Sequence, residues 1–448
     1  MKLSLLLALT ALFVFVSGFK NPALFFIGYL WASVLYPTAF ANTFVPLSQI
    51  FAIFAVLGYG FIDKPEKSRF PLVFYFAILF SVWVSFTAIE AERPYDAWPK
   101  WQWAIQSILI TVAMPLFLRT RVQIETAFIA AFSAITAHAL TAGVKTVFGT
   151  GGYDRLGRLM MDNFWLGETS TLSLVAILSI PMSYYIFSQS LAFEQFRGRM
   201  LFRIIWIAYI IVAIECMIGT SARTGVIALA MLLTFGVRGL FRKILVIVGA
   251  IGIFYVAQPL ISGRSLERYN TIGKYQQDSS ATTRIAAWQW AIKYAANHPL
   301  GGGFGLFNGA NVDFKTENAN GEITTQTRIG TAAHSIYFEV LGEQGYPGII
   351  LYLAMMITTL FGTLRISRLP KNTAEPQWYV AFSRSLFVSL TIFAVSASFV
   401  GIAFQPMLYL LLGFYCCVYR FVQNQRAPQP KFVPQPAPLS QLPNHARA

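Results

Sequence analysis

The chain has 448 residues, of which 56% are hydrophobic and only 12% charged, and its mean hydropathy is +0.56. Soluble domains carry about 25% charged residues, so this composition excludes an ordinary soluble globule and points to a polytopic membrane protein. The formal net charge of +15 does not signal nucleic acid binding, because lysines and arginines stand in short clusters between apolar runs and form no basic stripe.

Apolar runs long enough to span a bilayer, or nearly so, fall at 3–19, 23–41, 45–62, 71–89, 103–118, 124–148, 169–187, 201–219, 224–237 and 244–261. After a polar interval they resume at 346–364, 385–404 and 407–422. The first run follows Lys2 as a signal peptide would, but Lys20, Asn21 and Pro22 come next without a small-residue cleavage site, so it is read as membrane-embedded. No internal repeat is evident. Cys216, Cys416 and Cys417 lie within apolar runs and fit neither a metal spacing nor a disulfide framework.

The basic clusters Lys64/Lys67/Arg69, Arg119/Arg121, Arg197/Arg199/Arg203, Arg238/Arg242/Lys243, Arg365/Arg368/Lys371 and Arg420/Arg426 fall on one side of successive spans, which the positive-inside rule makes cytoplasmic. A count of about twelve spans, with one of the first two runs in the interface, puts both termini on that side. The expected fold is therefore an all-α polytopic membrane protein with one large periplasmic helical insert. Residues 1–261 form N-terminal transmembrane helices, 262–345 a periplasmic catalytic loop and 346–422 C-terminal transmembrane helices; 423–448, rich in Pro, Gln and Ala, is a disordered cytoplasmic tail.

The connections on the outer face hold the chemistry. The turn Thr220-Ser221-Ala222-Arg223-Thr224-Gly225 sets an arginine at the mouth of two spans. Arg223 either snorkels as an anchor or receives an anion, and the small and hydroxyl residues around it, Ser221 included, favour the anion. Arg284 opens a segment with helical apolar spacing, read as an amphipathic helix along the membrane surface. His298-Pro299-Leu300-Gly301-Gly302-Gly303-Phe304-Gly305 then reads as a helix stop and a glycine turn against the bilayer; it lacks the lysine and serine of a nucleotide loop.

Among four histidines, His138 lies inside a span and His298 at a helix end, both structural positions, and His445 is in the tail. His334 stands where the polar interval re-enters the membrane, ahead of Ser335 and Glu339, and a histidine there can accept a hydroxyl proton. A zinc site lacks ligands. A Ser–His–acid triad from Ser335 or Ser221 is disfavoured, since helical neighbours point about 100° apart. Arg155, Arg158, Arg264, Arg268 and Arg328 make this face basic, as an anionic lipid-linked substrate would require, with Glu215 a candidate partner for one of them.

Three segments in order, Ser221-Ala222-Arg223-Thr224-Gly225, Arg284…Trp288 with Pro299-Leu300-Gly301-Gly302-Gly303-Phe304-Gly305, and His334-Ser335…Gly345…Gly348, together resemble the O-antigen ligase family. The layout of many spans, a late insert and three further spans resembles it too. The N-terminal third looks like the branch of that family associated with protein O-glycosylation, without a catalytic motif. The resemblance implies a metal-independent, cofactor-free glycosyltransferase of the bacterial inner membrane with a C-type-like fold and its active site facing the periplasm. It would move a glycan from undecaprenyl diphosphate to a hydroxyl of lipid A–core oligosaccharide. Arg223 and Arg284 would hold the diphosphate and His334 would be the general base, with Arg155, Arg158, Arg264, Arg328 and Ser221 as further substrate contacts. An O-antigen polymerase and a protein O-oligosaccharyltransferase share this pattern. A lipid-linked sugar transporter would instead place charged or broken helices near the midplane in paired repeats. The sequence leaves the oligomeric state open.

Overall fold

Inside a bilayer every backbone polar group must be satisfied within the protein, so long apolar runs can only become helices. The structure, a computed structural model, describes residues 2–36, 46–61, 69–149, 166–237, 239–242, 244, 245, 248, 279–317, 323–370 and 378–426. Helices α1 (Lys2–Gly18), α2 (Ala23–Leu35), α3 (Leu47–Gly58), α4 (Leu72–Ile89), α5 (Pro94–Phe117) and α6 (Arg121–Val147) lead to α7 (Thr169–Gln189), α8 (Met200–Thr220) and α9 (Arg223–Met231). Next come α10 (Ser279–Asn297), strands β1 (Asn311–Glu317) and β2 (Ile323–Ile329), and helices α11 (Ile336–Ser367), α12 (Trp378–Ser396) and α13 (Pro406–Arg426).

Each apolar run read from the sequence lies mainly on a helix where it falls within the described residues, although the run at 385–404 leaves its helix after Phe399; the run at 244–261 lies almost wholly outside them. Among the described residues, α4, α6, α7, α8, α11, α12 and α13 make seven helices long and apolar enough to cross a membrane. Helices α1, α2, α3 and α9 are apolar but shorter. The chain is thus a mainly helical multi-pass membrane protein, with seven helices of spanning length among the described residues where about twelve spans are expected for the whole chain.

Local chemistry sets the helix ends. Pro71 precedes α4 and Pro94 opens α5, positions where a missing N–H costs nothing. Thr120 starts α6 with a reciprocal capping box to Gln123. In the middle of the bundle, where lipid removes the hydrophobic drive between helices, packing and interhelical hydrogen bonds take over. Ser385 and Ser389 of α12 donate to the Pro181 and Leu178 carbonyls of α7 at 2.8 and 3.1 Å. Phe128 of α6 packs on Phe382 of α12 and Phe414 of α13 at ring distances of 4.5 and 5.0 Å.

The polar interval departs from expectation in three ways. It is not wholly helical, because β1 and β2 pair antiparallel from Asn311↔Ile329 to Glu317↔Ile323. Helix α10 does not simply lie along a membrane surface: its buried Ala287 and Ala291 pack with Phe307, Ala310, Val312 and Ala333 of the same interval. The helix that leads back is also longer than the apolar run at 346–364, since α11 runs from Ile336 and bends within itself at Gly345 (φ 63°, ψ −166°).

Candidate active site

The interval is fastened to the helices by its glycine turn. Gly302 and Gly303 donate backbone N–H bonds to the Gly342 and Glu343 carbonyls of α11 at 3.1 and 2.9 Å, and Tyr346 donates back to Pro299 O at 2.9 Å. Glu92, between α4 and α5, donates to Gly302 O at 3.0 Å. Gly301 has φ +86°, and a Cβ there would lie 2.5 Å from Gly345 N, so only glycine permits this approach. These amides are engaged with protein carbonyls, and the turn packs against α11 and the α4–α5 connection, where the sequence suggested the bilayer.

Beneath the turn lies a charge cluster that the sequence reading passed over. Lys100 of α5 sits 2.7 Å from Glu339 and 2.9 Å from Glu343, two carboxylates one turn apart on α11. Glu343 also accepts the Gly305 N–H at 3.0 Å, and Glu339 accepts the Ala403 N–H at 3.1 Å. The ammonium faces the Phe404 and Phe304 rings at 5.4 and 5.9 Å. One ammonium between two carboxylates leaves a formal negative charge in a mostly buried place, held by backbone amides.

His334 stands immediately before α11, in the left-handed region at φ +47°. Its backbone is set from α10, where the Trp288 indole N–H donates to Ala333 O at 2.8 Å and the ring stacks on Phe338 at 5.1 Å. Trp288 lies one helical turn after Arg284, so one face of α10 both supplies the guanidinium and fixes the histidine. Burial, then the Arg284 charge, pushes the His334 pKa down to about 4; Glu339 opposes this and Arg328 adds to it. The imidazole is therefore neutral at physiological pH. Arg328 lies directly opposite Val312 in the hairpin, hence on the face that turns toward α10.

Glu168, just ahead of α7, completes the surroundings. Its Oε1 is 3.9 Å from His334 Nδ1, and both side chains remain reachable from solvent. Burial raises its carboxyl above the ordinary value, while the Arg284 charge and a hydrogen bond with Ser170 pull it back. Arg223 opens α9 at the same end of the bundle, because α9 packs on α7 with Gly225 closed against Ser173. Ser221 ends α8 in the left-handed region at φ 54°. The buried hydroxyls of Thr171, Ser173, Ser221 and Ser335 have no hydrogen-bond partner among the described residues, leaving polar capacity at this end.

The structure thus brings His334, Arg284 and Arg328 into electrostatic reach of one another and sets Arg223 and Ser221 at the same end. Arg155, Arg158, Arg264 and Arg268 lie outside the described residues. Glu215, expected to pair with an outer arginine, has a buried Oε2 without a hydrogen-bond partner among the described residues. His138 bonds Leu35 O at 2.8 Å and His298 packs over Tyr294, the structural parts expected of them. Sequence reasoning missed Lys100, Glu343 and Glu168. The first two carry a faint signal: a lone lysine early in an apolar helix, and two glutamates four residues apart opposite it.

Comparison with known proteins divides the chain in two. Residues 1–191 match a family of unknown function, DUF5935, and residues 207–353 match the O-antigen ligase family. The exopolysaccharide production protein ExoQ of Rhizobium meliloti (strain 1021) is 24% identical over 370 residues, covering 75% of this chain and 81% of that protein. Arg223, Arg284 and His334 all fall in the second region, whereas Lys100 and Glu168 come from the first. That second region, which spans the turn before α9, α10, the hairpin and the start of α11, is the part of the chain similar to the O-antigen ligase family.

Proposed function

We propose that this protein is a polyprenyl-diphosphate-dependent glycosyltransferase that ligates O-antigen polysaccharide from undecaprenyl diphosphate onto lipid A–core oligosaccharide, without a metal or cofactor. It works at the periplasmic face of the bacterial inner membrane, with residues 262–345 as its catalytic loop. The observation that carries this reading is a histidine within electrostatic reach of a guanidinium, His334 with Arg284, at an end of the membrane bundle rich in unsatisfied hydroxyls. Glycosyl transfer from a diphosphate needs those two parts. A base takes the acceptor proton, and cations stabilise the leaving group.

In this reading Arg223 and Arg284 hold the diphosphate in the bidentate manner to which guanidinium is suited. The acceptor hydroxyl oxygen attacks the anomeric carbon while its proton passes to His334. The bond from that carbon to the diphosphate oxygen breaks, and undecaprenyl diphosphate leaves with the electron pair. A single displacement inverts the anomeric configuration, which NMR of the product tests; retention would overturn it. Burial, and after it the Arg284 charge, makes His334 a weak base. An anionic donor on Arg284 offsets that charge, so the base strengthens when the donor has arrived. Arg155, Arg158, Arg264, Arg328 and Ser221 are proposed as further contacts to the donor or acceptor.

A second reading is polymerisation, in which another lipid-linked glycan is the acceptor. The name of the relative, an exopolysaccharide production protein, favours it. Purified protein in detergent, given undecaprenyl-diphosphate glycan, rough lipopolysaccharide and EDTA, separates the two by gel shift and mass spectrometry. Glycan on the lipid A core is the expected result. Elongated lipid-linked glycan alone would establish the polymerase, and transfer only to a protein serine or threonine would establish an oligosaccharyltransferase.

A further inference from the structure

A general base of histidine is only half specified by its position, because either ring nitrogen can carry the proton. The His334 main chain is set by Trp288 and by the start of α11. Neither fixes the ring's rotation or its tautomer. The contact that bears on the ring itself is Glu168 Oε1, 3.9 Å from Nδ1. Glu168 occupies the position before α7 where a side chain ordinarily caps the helix, yet it makes no capping bond. Its carboxylate lies beside the histidine, and the Arg284 charge and the Ser170 hydroxyl favour its anionic form against burial.

We propose that Glu168 is the positioning residue of His334: its carboxylate accepts the Nδ1–H bond, so that Nε2 presents its lone pair to the acceptor hydroxyl. This rests on the assignment of His334 as base made above. A separation of 3.9 Å is a short side-chain rotation from a hydrogen bond, and such bonds tighten when substrates fill a site. During transfer the hydroxyl proton moves to Nε2, Nδ1–H stays on Glu168, and the resulting imidazolium faces a carboxylate until it returns the proton to water. The other charged groups around the ring are Arg284 of α10, Arg328 of β2 and Glu339 of α11, the last shared with Lys100 of α5. Two of these three repel an imidazolium, which makes the Glu168 carboxylate the more necessary. The same carboxylate lies near Arg284, so it couples the base to the group that would hold the donor.

The test uses full-length protein in lipid nanodiscs with 15N-labelled histidine. The chain has four histidines, so the signal missing from His334→Ala identifies the ring in question. In the wild type that ring should be protonated on Nδ1. Glu168→Ala should release it to a mixture of tautomers and lower kcat for transfer roughly 10- to 100-fold, the size of effect seen when the carboxylate behind a metal-ligating histidine is lost, with donor KM little changed. Glu168→Gln, whose amide oxygen still accepts the bond, should keep the tautomer and recover part of the rate, and it serves if the alanine variant fails to fold. An unchanged tautomer in both variants, or an unchanged kcat in Glu168→Ala, overturns the proposal. Wild-type transfer by His334→Ala would overturn the base assignment, a separate result from the tautomer of the ring.

Discussion

The two ends of the helix bundle spend their cations differently. At one end, guanidinium groups close helix C-termini: Arg119 donates to Leu116 O at 3.0 Å, Arg121 to Gln189 O at 3.1 Å and Arg197 to Gln189 O at 2.8 Å. Arg420 likewise donates to Pro115 O and lies over the Phe70 ring at 4.2 Å. These are the carbonyls a helix leaves unsatisfied, and a cation there also complements the helix dipole. At the other end the charged residues meet one another and a histidine. Lys100 is locked between two glutamates, and Arg284 and Arg328 act through space on His334. Arginine content alone therefore does not mark a functional face. Nor does a carboxylate partner, since Arg121 pairs with Glu125 at 2.9 Å; what marks it is arginine acting on a histidine beside unsatisfied hydroxyls.

That contrast can be broken by substitution. The largest expected effect on transfer is from His334→Ala, a loss of roughly 10²–10⁴-fold, the range for removal of a general base, with expression intact. Arg284→Lys and Arg223→Lys should each weaken donor binding on the order of tenfold or more, because an ammonium cannot reproduce the guanidinium fork; a Kd for undecaprenyl diphosphate equal to wild type would refute their role. Lys100→Met should act mainly on stability. Removing one partner of a buried ion pair costs about 3–5 kcal/mol, and here two carboxylates would be left facing each other, which thermal unfolding in detergent would register.

Acidity supplies a milder probe. The folded His334 pKa, about 4, is below the ordinary 6.5, so its contribution to stability is complete above pH 6.5 and is lost as pH falls from 6.5 toward 4. The acid limb of kcat/KM should lie near the lower value, and that of kcat higher, once the donor offsets Arg284. Coincident limbs near 6.5 would contradict the field described for the site. The smallest effect on transfer belongs to the opposite end. Arg420→Gln should cost about 1 kcal/mol of stability, as loss of an ordinary hydrogen bond does, and leave kcat unchanged.

The membrane body was legible because spanning helices announce themselves as long apolar windows, and Arg223, Arg284 and His334 stood out as rare polar residues beside them. The hairpin was hidden because its strands are short and polar: among their described side chains the buried apolar ones are Val312 and Phe314, one residue apart. The glycine turn was ambiguous for a different reason. The same residues serve an anion nest or a close backbone contact, and only the partners of the Gly302, Gly303 and Gly305 amides decide. The packing of α10 on the hairpin is not readable from the sequence because its inward face is alanine, which looks the same against lipid as against protein. Glu168 and Lys100 could not be paired with α11 at all, since chain topology alone brings them there.

That pairing has a consequence for how such proteins can be recombined. The ion pairs of Lys100 with Glu339 and Glu343, and the approach of Glu168 to His334, each cross from the first family region into the second. A chimera joining residues 1–191 of this chain to the ligase region of a relative would unite halves that each keep their own helices yet lack a common charge balance. Such a chimera should insert and fold poorly, or fold and stay inactive, until positions 100 and 168 are matched to 334, 339 and 343. Covariation should accordingly run between the two regions more strongly than their separate family matches suggest.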